Sequence, residues 1–186
     1  MPRAADKNFL GIPIEGEPIY SSANRVAQRP IEELQEALAE LIQYEDFEGL
    51  RWKQYTPYFN DGDPCVFGIG DVYCRVKGLP YDPDQEGGWE EEDNFYSPHN
   101  SYGDDPEVDA VLGKMTGRKY DYKTRTYTDG EWVVQPQNPE LVHQLQKCAG
   151  MITSGAFNDA LLQTFGDHAK ITIRKDKIEL ETYEHD

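Results

Sequence analysis

No stretch of this 186-residue chain approaches the roughly 18 consecutive apolar residues of a membrane-spanning helix. Met1–Asn8 carry no apolar core of a secretion signal. Cysteine is scarce: Cys65, Cys74 and Cys148 are odd in number and have no C-x-x-C spacing, which fits reduced thiols rather than a disulfide framework. Basic residues are missing over one long interval, with no Lys or Arg between Lys77 and Lys114. The common catalytic signatures are also missing. Gly68-x-Gly70 lacks the third glycine of a dinucleotide fingerprint, and neither a G-x-x-x-x-G-K-[ST] loop nor a G-x-S-x-G elbow occurs. The expected setting is a signal-free cytosolic domain with no membrane partner.

Acid is what the chain has in excess. Its 35 Asp and Glu face 18 Lys and Arg, for a net charge of -17. That repels a nucleic-acid backbone and favours basic protein surfaces or cations. Eleven of the acids fall between Asp82 and Asp109, and without them the balance is only -6. Pro80, Pro83, Gly87, Gly88, Pro98, Gly103 and Pro106 make this segment a poor helix or central strand. Trp89, Phe95, Tyr96 and Tyr102 interrupt its acids, unlike plain disorder. The segment therefore predicts an exposed acidic insertion pinned by rings. Its candidate partner-binding residues are Trp89, Glu90, Glu91, Glu92, Asp93, Phe95, Tyr96, Tyr102, Asp104 and Asp105. The bland alternative is a solvated loop serving solubility alone.

Periodicity predicts a single α+β domain over residues 30–186, after an irregular arm at 1–29 with one short edge strand around Ile12–Ile19. An antiparallel or mixed sheet is expected, with two to three helices packed on it. Ile31, Leu34, Leu38, Leu41 and Ile42 mark a helix opened by Pro30, with Gly49 as its expected stop. Cys65–Val76 predicts a strand, either buried on both faces or bent at its glycines. Val108, Val111 and Leu112 predict a short helical turn, and Tyr120–Val134 a hairpin turning at Asp129-Gly130. Leu141 to Phe165 predicts one helix, or two meeting near Thr153–Gly155. Ala169–Thr182 predicts a closing hairpin with one apolar face.

Two small constellations could hold a divalent or transition metal. Asp61 and Asp63 share a tight turn with Asn60, though the twelve-residue calcium loop is absent. His168 and His185, flanked by Asp167 and Asp186, would meet at the open end of the last hairpin. Ordinary turn structure and surface imidazoles at sheet ends are the preferred readings of the two, and no cofactor is otherwise indicated.

The run Trp52-x-x-Tyr55-Thr56-Pro57-Tyr58-Phe59-Asn60-Asp61-Gly62-Asp63-Pro64-Cys65 resembles a motif of small uncharacterised proteins of tailed bacteriophages and prophages. Phe165-Gly166-Asp167-His168-Ala169 and Glu181-x-Tyr183-x-His185-Asp186 are similar to their C-terminal pattern. The resemblance covers under a quarter of the chain and implies location in a bacterial host cytoplasm during infection, but no catalytic assignment. The leading expectation is an acidic protein-interaction module that modulates or inhibits a host or phage protein with a basic surface, DNA mimicry being one narrower form. The alternatives are a virion or assembly component, perhaps a homo-oligomer, and a metal-dependent or small-molecule-handling enzyme.

Overall fold

Helix α1 (Ile31–Leu41) forms where the apolar spacing requires it, and buries Leu34, Ala37 and Leu41. Glu32 and Glu33 sit favourably in its positive first turn. The helix stops at Ile42, well short of Gly49, because Gln43, Glu45 and Asp46 offer no further apolar stripe and the Phe47 amide closes a turn on Tyr44. Gly49 lies instead inside a strand. The computed structural model describes residues 8–9, 12–13, 26–59, 65–83, 94–99, 105–117, 120–121, 126–127 and 130–182. Two short strands, β1 (Asn8–Phe9) and β2 (Ile12–Pro13), pair within the arm.

The central sheet runs in the order β10 (Ile178–Thr182), β9 (Ala169–Ile173), β3 (Phe47–Tyr55), β4 (Gly68–Val76), and every strand pairing among the described residues is antiparallel. Strand β3 (Phe47–Tyr55) escapes a simple alternation pattern because a bulge at Glu48 sends both Phe47 and Leu50 to the helix side. A second irregularity sets Gly70 and Asp71 of β4 (Gly68–Val76) against Lys53, and Ile69 and Val72 thereby share one face. Of the two expectations for this strand, bending at a glycine is the one observed.

Helix α2 (Pro106–Leu112) is capped by the Asp105 carboxylate, which accepts from the Glu107 and Val108 amides. The next hairpin is longer than periodicity predicts. β5 (Lys114–Thr116) pairs with β8 (Glu131–Val134), and β6 (Tyr120–Asp121) pairs with β7 (Thr126–Tyr127). Asp121 pairs with Thr126, ahead of the expected Asp129-Gly130 turn, and Asp129 itself lies outside the described residues.

Helix α3 (Pro139–Thr153) starts at an Asn138 cap and ends near Ser154, and α4 (Asn158–Phe165) follows. Gly155, at φ 78°, makes the break. The preceding chain is fastened here: Arg29 donates to the Ala156 carbonyl, and Gln28 accepts from the Asp159 amide at the start of α4. Strands β9 (Ala169–Ile173) and β10 (Ile178–Thr182) close the chain as predicted.

Trp52, Leu50, Ile171, Leu145, Ile152, Leu41 and Phe157 form the core between sheet and helices. Each such side chain contributes roughly 1.5–3 kcal/mol when fully buried. Gln54 is the one fully buried amide among the largest core residues. It donates to the Leu161 and Gly166 carbonyls and accepts from the Trp52 indole, so β3 is tied to the end of α4. Among the described residues, no helix is long and apolar enough to cross a membrane.

Burial pushes the Cys74 thiol up to about 12, and that of Cys148 likewise to about 12, while Cys65 is exposed. Neither buried thiol forms appreciable thiolate at neutral pH. A disulfide-exchange reagent at pH 8 is therefore expected to titrate one thiol rapidly in the native chain and three after denaturation. Rapid native titration of three would contradict this packing.

Candidate functional site

The acidic segment leaves the described structure after Pro83 and returns at Asn94, and these two points are joined. The Asp82 amide donates to Asn94 Oδ1 at 2.6 Å, and Asn94 Nδ2 returns a bond to the Asp82 carbonyl at 3.0 Å. Asn94 adopts φ 66°, a left-handed conformation that asparagine tolerates better than most residues. Arg75, on β4, braces both sides of this neck. Its guanidinium donates to the carbonyls of Leu79 and Pro80 on the outgoing side and of Asn94 on the returning side. Glu48 approaches its Nε at 3.4 Å, and the guanidinium lies over the Tyr81 ring.

Beyond the neck the chain is stitched to the sheet. Tyr96 and Cys74 exchange backbone hydrogen bonds of 2.7 and 2.9 Å, which closes the outer edge of β4, and the Tyr96 hydroxyl donates to the Pro80 carbonyl. Phe95 turns onto the polar side of the sheet, where Gly49 leaves room. A Cβ at Gly49 would stand 3.1 Å from the Phe95 ring. The Arg51 guanidinium covers that ring at 4.0 Å, with Arg174 at 5.9 Å, a cation–π arrangement. Further on, Gln146 of α3 holds the Pro98 carbonyl.

These contacts revise part of the expected binding surface. Phe95 is buried, Tyr96 is half-buried with its hydroxyl engaged, and Asp105 is committed to capping α2. Phe95 and Tyr96 are anchors of the segment rather than outward contacts, whereas Asp105 caps α2 and stays exposed. Their signal was present in the sequence: residues 94–103 contain no acid, so the segment is really two acidic clusters separated by an aromatic stitch. Trp89, Glu90, Glu91, Glu92, Asp93, Tyr102 and Asp104 lie outside the described residues, as do Asp61, Asp63 and His185 of the metal expectation.

His168 occupies a left-handed backbone position, φ 54°, at the start of β9. Its ring stacks on Tyr58 at 4.7 Å, and its buried Nδ1 has no hydrogen-bond partner among the described residues. Asp167 accepts from the amides of Thr56 and His168, both at 2.8 Å. Partial burial pushes the Asp167 carboxyl up, but those hydrogen bonds and the neighbouring His168 outweigh it and leave the group below the ordinary carboxylate range. The pair fastens β3 to β9. Among the described residues no three His, Cys, Asp or Glu side chains converge as a metal site. No family model, no curated protein and no solved structure matches this chain.

Proposed function

We propose that the chain is an acidic protein-interaction module whose contact element is the segment 84–93, carried on the neck at Asp82, Asn94 and Arg75. Its partner is a host or phage protein with a basic surface in the bacterial cytoplasm, which it modulates or inhibits. The neck is the observation that carries this reading. Residues 84–93 hold six carboxylates, one indole and no base, and are inserted at a neck where the Asp82 backbone amide and carbonyl are both hydrogen-bonded by the Asn94 side chain. A fixed neck holds both ends of the segment at one place on the sheet before a partner arrives, which lowers the entropy lost on binding. Concentrated negative charge speeds encounter with a basic surface, and Trp89 supplies apolar contact area that charge alone does not. The phage-like run Trp52–Cys65 supports the cellular setting.

The test neutralises charge without changing shape: Glu90→Gln, Glu91→Gln, Glu92→Gln and Asp93→Asn combined. The immobilised parent chain and this variant are exposed to lysate of phage-infected bacteria at low and high salt. Proteins with basic surfaces are expected on the parent at low salt only and absent from the variant. An identical set on both chains would overturn the assignment.

A further inference from the structure

The four-stranded sheet has two edges, and the chain treats them differently. Tyr96 covers β4 at Cys74, whereas β10 has no further strand beside it among the described residues. The Arg174 amide bonds to the Lys177 carbonyl, which fixes the parity of the last hairpin. Alternation then turns the backbone groups of Glu179 and Glu181 toward β9, and those of Ile178, Leu180 and Thr182 toward the open edge. The side chains of Ile178 and Leu180 share the helix side with Ile173 and Ile171, yet they remain 54% and 55% exposed. The strand pairs without a bulge and contains no proline, so it lacks two common protections of an edge.

Charge identifies the occupant. Lys170, Arg174, Lys175 and Lys177 face Asp176, Glu179 and Glu181 in this hairpin, one net positive charge within a chain of -17. A basic partner gains nothing here, and a second copy meets little repulsion from this hairpin. We propose that β10 pairs antiparallel with β10 of a second copy about a two-fold axis through Glu179, joining the two sheets edge to edge. In this register Ile178 faces Leu180 of the second copy, and Lys177 faces Glu181 of the second copy, each twice by symmetry. The outward backbone groups exchange about four hydrogen bonds, and four exposed apolar side chains cover one another. Glu179 opposes its own copy, and each carboxylate already carries Arg174 at 2.9 Å and Lys177 at 2.6 Å. Moving the axis to Leu180 would set Glu179 against Glu181 and lose the Lys177 pairing. This interface is independent of the acidic segment, so either proposal can fail alone.

An interface of one strand per copy is small and gives a Kd in the micromolar range or weaker. Light scattering of the full chain is expected to show a mass rising from 21.3 kDa toward twice that value over about 5–300 µM. Leu180→Lys is expected to hold the chain monomeric with its melting temperature nearly unchanged, because that side chain is already exposed. In a Cys65→Ser chain, Glu179→Cys is expected to give a disulfide-linked dimer on mild oxidation, because identical residues meet at the axis, and Glu181→Cys is not. A monomer throughout, a dimer indifferent to Leu180→Lys, or crosslinking at 181 and not at 179 would each overturn the proposal.

Discussion

Gly113→Ala is expected to destabilise the chain by about 2–6 kcal/mol, a large share of the roughly 5–15 kcal/mol that holds a typical domain together. Gly113 ends α2 at φ 76° and ψ 172°, a region almost confined to glycine, where an L residue costs about 1–3 kcal/mol. Space is the second obstacle. A Cβ there would lie 2.4 Å from the Trp132 ring, 2.8 Å from Pro136 Cδ and 2.9 Å from the Pro136 backbone nitrogen. Overpacking of this kind adds about 1–3 kcal/mol, and the Pro136 backbone has no rotamer with which to retreat. Gly117→Ala is the comparison without the crowding, because Gly117 also has a φ of 76° but nothing within 4 Å of its Cβ position. Urea unfolding should therefore show Gly117→Ala losing only about 1–2 kcal/mol. Equal losses in the two variants would show that Trp132 and Pro136 yield freely.

Arg75→Met is expected to cost about 2–4 kcal/mol and to open the neck, because three carbonyls lose a charged donor in a largely enclosed setting. The methionine retains much of the apolar stem, so the loss reports on the guanidinium. Arg75→Lys is expected to recover little, since an ammonium cannot reach carbonyls of Leu79, Pro80 and Asn94 with one planar fork. Amide hydrogen exchange gives the local readout. Protection at Asp82, whose amide is held by Asn94, should fall far more than protection in α3. Uniform loss across both would make Arg75 a support of the whole core rather than of the neck.

The helices and the last hairpin were legible because their burial is regular. Leu34, Leu38 and Leu41 keep helical spacing, and Ala169, Ile171 and Ile173 alternate without interruption. Strand β3 was not legible, since the bulge at Glu48 breaks its alternation and buried Gln54 reads as polar surface. Gly49 imitated a helix stop for want of any sign that Phe95, 46 positions later, would fill the space above it. Phe95 and Tyr96 took on the apparent exposure of their acidic neighbours. The Asp105-Pro106 start of α2 is a recognisable cap that the surrounding charge obscured.

The central claim is that residues 84–93 serve recognition and contribute nothing essential to the fold. Deleting them and joining Pro83 to Asn94 by a short glycine linker takes the net charge from -17 to -11 by the loss of six carboxylates. The most direct measurement sets the unfolding free energy of this variant beside its capture of proteins from infected-cell lysate. Stability within about 1 kcal/mol of the parent, the scale of a loop-length change, is predicted together with loss of the salt-sensitive partners. A stable variant that keeps those partners would contradict the claim.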